Sequence, residues 1–440
     1  MIKDDPKQTK GKEHPSAARA NDRSSSQRRD MAGGMLKEVT LLEEDQAPGT
    51  GTNVFLTGGT GFVGDLLIQK YLERTDCKLW VLSRPKNGVT AEERIFDRVR
   101  SKDHSRIRVV CGELGSAGKG ENKNTEPPSA VIDSATMQQH ESLLEMSSVV
   151  DEVFHNASYL GLKKSAEERQ KCVDVNVRGT RRLLNLMGTF KREIKALFYT
   201  STAFVHGRMS EPEEFREDDA LTNGWLNPYE ESKWKAEELV REAGYPYRIF
   251  RPGMIAREPG ANVLSSHTIY GVADVLESGL SSYNASESSA RLHLRVRGLL
   301  NAAHNIILRS ELVDMIFDIR ASDHEMNHIY NTLNPTNTRL EDVVYAILHN
   351  LDPTMSYEFV PYMDGSQPLN RIERLLEKAV YPLYEEYLFK KSPEFDMSNV
   401  KNALGEKYVS EHITRIDRPL LTKLMDDYFR TKWSRRLPKK

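Results

Sequence analysis

Cysteine is scarce in this chain. Cys77, Cys111 and Cys172 are its three cysteines, unevenly spaced and without a C-x-x-C pair. That argues against a disulfide framework or a zinc knuckle and fits a reducing, cytoplasmic setting. No apolar run approaches the ~20 residues that span a bilayer. The first residues hold no apolar core of a secretory signal. A formal net charge of −2 supplies no bulk field toward nucleic acid or anionic lipid. No repeat period is present. These absences leave a water-facing globular protein, long enough for one large α/β domain and a smaller one.

Residues 1–49 are polar and rich in Lys, Arg, Ser, Gln and Asp, and they lack the apolar surface to fold alone. Ala17 to Arg29 has the Arg and Ser of a transit peptide, but Asp4, Asp5, Glu13, Asp22 and Asp30 are acids that such peptides avoid.

What is present begins at Asn53. Asn53-Val-Phe-Leu-Thr57 reads as a buried strand, and Gly58, Gly61 and Gly64 follow at a spacing of three. Phe62, Val63, Leu66, Leu67 and Tyr71 then take up helical periodicity. Strand, glycine turn and helix open a dinucleotide-binding fold. Glycine allows the tight turn, the close approach of backbone to pyrophosphate and the early helix start, while the helix N-terminus offers N–H groups to phosphate. Gly58, Thr60, Gly61, Phe62 and Gly64 are therefore expected at the cofactor.

Lys78 to Leu82 reads as the second strand, and its end carries Ser83-Arg84-Pro85-Lys86 rather than an acid. An acid there would bind a ribose 2′-hydroxyl, whereas an arginine pairs with a 2′-phosphate. Arg84 thus points to NADP(H). Strand three ends in Gly112-Glu113, where Glu113 can accept from an adenine amino group. Strand four ends in His155-Asn156, which places Asn156 at the cofactor; His155, with no partner at ligand spacing, reads as a packed or loop histidine rather than a metal ligand. Asn176 starts a long helix and is also expected near the cofactor. Ala196 to Thr200 and Tyr247 to Arg251 read as strands five and six. The alternation predicts an α/β protein: a Rossmann-like doubly wound parallel sheet over 50–260, with a smaller, mostly helical substrate-binding region over 261–440. His328 to Pro335 reads as one more strand returning to the core. The apolar positions of 371–390 are interrupted by Pro382.

Tyr229 and Lys233 lie four residues apart on one helix face. A lysine beside a phenol is expected to lower its pKa and make Tyr229 a proton donor near neutrality. The spacing alone says little, because Tyr159/Lys163, Tyr387/Lys391 and Tyr428/Lys432 share it. Those three are expected to be accidental surface pairs; only Tyr229 follows a strand ending in Ser and Thr and precedes Arg251-Pro-Gly253.

Thr57 to Gly64, the Ser/Thr strand, Tyr229-x-x-x-Lys233 and Arg251-Pro-Gly253 together resemble the extended short-chain dehydrogenases/reductases. Ala91-Glu-Glu-Arg-Ile95, the stretch from Arg106 to Leu114 and His328 to Pro335 narrow the resemblance to the thioester reductases and fatty acyl-CoA reductases, over about 52–351. Glu113 and Ser158 depart mildly from that pattern. The resemblance implies a catalytic Thr202, Tyr229 and Lys233, with Lys233 also on the nicotinamide ribose. It implies NADPH-dependent reduction of an acyl thioester, on coenzyme A or a carrier protein, to an aldehyde, which a second hydride could take on to an alcohol. No adenylation or carrier domain is legible, so the expected substrate arrives pre-activated. No metal, nucleic acid or transmembrane segment is expected; contact with a membrane surface is left open. A nucleotide-sugar or hydroxysteroid enzyme would share the same core residues; a non-catalytic NADP(H) sensor is the other alternative, and it need not keep Thr202, Tyr229 and Lys233 all together.

Overall fold

Period-two alternation sets the sheet. Val54 and Leu56 face one apolar cluster and Phe55 the other; Leu79 and Val81 alternate with Trp80 and Leu82 in the same way. Strands buried on both faces in this manner form a parallel sheet covered by helices. In the computed structural model seven strands do so: β1 Asn53–Thr57, β2 Lys78–Ser83, β3 Ile107–Cys111, β4 Glu152–His155, β5 Ala196–Thr200, β6 Tyr247–Phe250 and β7 His328–Tyr330. The structure describes residues 51–99, 104–114, 137–208, 214–217, 224–261, 268–283, 292–363, 365, 367–389 and 393–435. The polar tail and the loop at 116–128 lie outside them.

The strand order is β7-β6-β5-β4-β1-β2-β3, with every pairing parallel. The order reverses between β1 and β4, and ligands of such sheets bind at the carboxyl ends there. One face is covered by α1 Gly64–Arg74 and α8 Arg309–Ala321, which bury Leu67, Tyr71, Ile316 and Phe317 against Leu56, Phe154 and Phe250. The other is covered by α3 Met137–Val149, α5 Gly179–Met187 and α6 Pro228–Glu242. Between α4 Ala166–Cys172 and α5 the chain makes a π turn, Val173–Arg178.

After β6 the chain builds a second layer from α7 Ile269–Tyr283, α9 Leu340–Leu351, α10 Arg371–Ala379, α11 Tyr381–Leu388 and α12 Arg418–Ser434. Its own core includes Tyr270, Leu294, Ile347, Leu376, Leu424 and Phe429. Pro382 sits in the first turn of α11, where a missing N–H costs nothing, so the apolar stretch forms two helices broken at Val380. Residues 50–440 form one compact unit, because β7 returns to the sheet between pieces of this second layer.

Arg251, just past β6, forms a bidentate pair with Glu237 of α6 at 3.0 and 2.7 Å, and both side chains are at most 1% exposed. Removing one partner strands a buried charge. Glu237→Ala is expected to lower stability by about 3–5 kcal/mol, read from urea unfolding; a loss under ~1 kcal/mol, typical of exposed pairs, would show that water screens this one.

Candidate active site

The turn after β1 is shaped by two glycines. Gly58 has φ +77°, and a Cβ there would lie 2.6 Å from the Ala157 nitrogen. A Cβ on Gly64 would lie 2.0 Å from the Gly58 carbonyl oxygen. That carbonyl accepts from the Gly61 N–H at 2.9 Å and from the Asn156 amide at 3.4 Å. Helix α1 therefore starts against the end of β4, and no side chain caps it. Arg309, the first residue of α8, braces the turn by donating to the Phe62 carbonyl at 3.0 Å and to Asp65 at 3.1 Å.

His155 is held on both ring nitrogens, by Thr57 Oγ1 at 2.7 Å and Thr180 Oγ1 at 2.9 Å. Burial, helped by the Lys233 charge, pushes its pKa down to about 3. Below the ordinary histidine value of 6.5 the unfolded chain therefore takes up a proton that the folded protein refuses, and stability falls as pH drops. His155→Gln keeps hydrogen-bonding capacity and removes the titration. It should flatten the stability slope by about 1.4 kcal/mol per pH unit between about pH 6 and 4. Glu230, pushed up to about 7 by burial, acts with the opposite sign, but equally in both proteins. Parallel unfolding curves would contradict this reading.

At the ends of β2 and β3, the Arg84 guanidinium pairs with the Glu113 carboxylate. Beside it is Arg94, which donates to the Arg84 carbonyl and to Thr60 Oγ1, the latter at 3.2 Å. Arg94 comes from α2 Ala91–Phe96, whose start is fixed by a capping box between Thr90 and Glu93. Burial, then the neighbouring Arg84 and Arg98 charges, lower the Arg94 pKa. Two crowded guanidiniums beside a helix N-terminus suit a phosphate dianion. The sequence reading missed Arg94; its signal was the Glu-Arg-Ile of the short helix, which packing rather than spacing turns inward.

Helix α6 starts at Asn227, whose side chain accepts from the Glu230 N–H at 3.1 Å, with Pro228 in the first turn. This sets Tyr229 at the sheet's carboxyl edge and Lys233 one turn deeper. Lys233 donates to the Thr200 carbonyl at 2.6 Å and lies 4.2 Å over the Tyr199 ring. Burial lowers its pKa to about 7, against the Glu237 charge. Burial raises the Tyr229 phenol, and the neighbouring Thr202 hydroxyl offsets this only in part. The expected lowering of Tyr229 by Lys233 is therefore not found in this geometry, because the ammonium is turned onto Thr200 and Tyr199. Thr202 Oγ1 caps the turn Ala203–His206 by accepting from the Phe204 N–H at 3.3 Å.

These groups open onto one cavity of about 780 Å³. Gly58, Thr60, Gly61, Phe62, Arg84 and Glu113 line it toward the sheet, followed by Asn156, Thr202 and Tyr229. Toward the helical layer the wall is apolar, with Leu276, Leu294, Val296, Val344, Ile347 and Leu376. Gly64, Asn176 and Lys233 stand behind the wall. Asn176 is occupied with protein: its side chain accepts from the Tyr159 N–H at 2.7 Å and donates to the Tyr159 carbonyl at 2.9 Å and Ser232 Oγ at 2.8 Å. It ties the loop after β4 to α6.

The other Tyr-x-x-x-Lys tyrosines are not surface residues. Tyr159 and Tyr387 line the cavity, and Tyr428 is buried, donating to Asp274 at 2.7 Å. Tertiary packing that the spacing cannot show put them there.

The profile of the male sterility protein family of NAD-binding domains matches residues 56–125 and 135–295. A nonribosomal peptide synthetase of Aspergillus campestris is 24% identical over 412 residues, 85% of this chain and 36% of that protein. The fatty acyl-CoA reductase wat of Drosophila melanogaster is 26% identical over 322 residues, 63% of this chain and 56% of that protein. A carboxylic acid reductase of Mycobacterium marinum is 30% identical over 249 residues, 49% of this chain and 19% of that protein. The chain thus spans between about a fifth and a little over half of the length of these relatives. In fold it resembles the terminal R domain of the myxalamid PKS-NRPS pathway, with a TM-score of 0.63 and 21% identity over 89% of this chain and 93% of that one. The UDP-glucose 4-epimerase of Thermotoga maritima shares the fold at a TM-score of 0.56 and 15% identity, over 87% of this chain and 100% of that one. With the glycine turn, the parallel sheet and the extent of the profile match taken together, the chain belongs to the male sterility protein family of NAD-binding domains.

Proposed function

We propose that the protein is an NADP(H)-dependent reductase of acyl thioesters. The observation that carries this is the continuous cavity, which joins the glycine turn and Arg84/Arg94 to Thr202 and Tyr229 and then to an apolar pocket. The tight turn, where a Cβ on Gly58 or Gly64 would strike backbone, opens onto the cavity, the arginine pair suits a 2′-phosphate, and Asn156 and Glu113 lie beside the groove. Bound NADPH supplies the hydride. Thr202 and Tyr229, which both line the cavity, hold the thioester oxygen. Charge grows on that oxygen in the transition state, and two preset hydroxyls stabilise it. The buried phenol stays protonated and donates. Lys233, one turn deeper, holds the Thr200 carbonyl at the end of β5. The thiol departs to leave an aldehyde, and the same pair serves a second reduction to an alcohol.

The apolar wall favours an acyl chain over a nucleotide sugar, whose hydroxyls and diphosphate would find few partners there. Names borne by relatives, fatty acyl-CoA reductase and carboxylic acid reductase, support the same reading. The three cysteines are free, which supports a cytoplasmic setting. Among the described residues no helix is long and apolar enough to cross a membrane. The test is NADPH oxidation against acyl-CoAs of graded length, carrier-bound acyl groups, UDP-glucose and free aldehydes, with products identified. Acyl thioesters should give aldehyde or alcohol; turnover confined to UDP-glucose would overturn the proposal.

A further inference from the structure

Helix α11 touches two things at once. Tyr381, Tyr384 and Leu388 line the apolar part of the cavity. Tyr387, on the same helix, reaches the start of α6. Its hydroxyl donates to Glu230 Oε1 and accepts from Asn227 Nδ2 at 2.7 Å. Glu230 Oε2 accepts in turn from the Leu226 N–H at 2.8 Å. Asn227 caps the helix on which Tyr229 is the second residue, and Glu230 is only 1% exposed. The Tyr387 ring also meets Phe204 edge-on at 5.7 Å, and Phe204 belongs to the turn that Thr202 caps. One side chain from the helical layer therefore contacts the anchors of both reacting hydroxyls.

Resting on the thioester-reductase reading, we propose that Tyr387 is a positioning residue that couples filling of the apolar pocket to the placement of Tyr229 and Thr202. An acyl chain lying against Tyr381, Tyr384 and Leu388 loads the helix that carries Tyr387. Binding energy from an unreactive part of the substrate is then spent on orientation at the reacting carbonyl, which raises kcat as well as affinity. Small displacements matter, since about 1 Å at a reacting group costs on the order of 10²-fold in rate.

The test compares kcat and KM for acetyl-CoA and dodecanoyl-CoA in wild type, Tyr387→Phe and Glu230→Gln. Tyr428→Phe serves as a control for loss of a buried tyrosine hydroxyl away from the cavity. In wild type, kcat should be about tenfold higher with the long chain. Tyr387→Phe should lower the long-chain kcat by about tenfold, leave KM for NADPH unchanged and bring the two substrates together. Glu230→Gln retains an acceptor and should move the same way by less. A purely structural role would lower both substrates equally, and that result, or an unchanged long-chain kcat in folded Tyr387→Phe, overturns the proposal. If wild type reduces neither thioester, the functional reading fails by itself, and coupling is read without turnover. Dodecanoic acid should then slow amide hydrogen exchange at 200–206 and 226–233 in wild type and not in Tyr387→Phe. Equal protection in both proteins, or none in wild type, overturns the coupling.

Discussion

Tyr229→Phe is expected to lower kcat by about 10²–10⁴-fold with KM for NADPH nearly unchanged. The ring stays and so does its packing at the start of α6, while the transition state loses a proton donor and one of two oxyanion contacts. Thr202 supplies the other hydroxyl on the cavity wall. Thr202→Val should therefore cost a similar factor, and the double variant less than the product of the two, because groups that act as a unit are not additive. Lys233→Ala should differ: it removes the donor to the Thr200 carbonyl and the charge beneath the ribose site, so both turnover and NADPH affinity should fall. Tyr428→Phe should keep near-normal turnover. Wild-type rates in Tyr229→Phe, with acyl thioester as substrate, would remove Tyr229 from the chemistry.

The second large effect concerns cofactor choice. Arg84→Asp is expected to weaken NADPH binding by about 1.5–3 kcal/mol through loss of a charge-assisted phosphate pair. Arg94 stands beside it, so Arg84→Ala with Arg94→Ala should lose on the order of 3–6 kcal/mol, adjusted for their contact through the Arg84 carbonyl. NADH binding should barely move, since in the proposed reading the pair acts on the 2′-phosphate. Titration of each variant with both cofactors reads this directly. A wild type that prefers NADH, or a double variant that still binds NADPH normally, would end the assignment.

The sheet was legible in the sequence because its information is local. Val54, Phe55 and Leu56 alternate between two cores, and glycine marks the turn after β1, where a Cβ would strike backbone. The returning strand was legible at His328 for the same reason. Arg94 and Tyr387 were not legible, since each acts through contacts with residues distant along the chain: Thr60 for one, Glu230 and Phe204 for the other. Pattern placed Tyr387 in a set of accidental pairs; packing put it against α6. The ionisation of Tyr229 was misjudged because spacing on a helix says that Lys233 shares its face, not where the ammonium points. Asn176 was read as a cofactor contact from its position near a helix start, yet the π turn directs its amide to Tyr159 and Ser232.

The seventh strand has a consequence for how the chain is made. Strands β1 to β6 leave the ribosome in order, but the β6 edge, with Ile249 and Phe250 fully buried in the finished protein, gains its neighbour only when His328–Tyr330 emerges. Until then a nascent sheet exposes unpaired backbone and apolar side chains, which invites chaperones and aggregation. The same return closes a route for engineers. Cutting after Ala256 to exchange the helical layer between relatives would also remove β7, together with the Asn331 and Asn399 N–H groups that clamp Glu217 beside the sheet. A viable exchange has to leave with the sheet both β7 with its flanks and the stretch around Val400 and Val409, and graft the helical layer as separate segments.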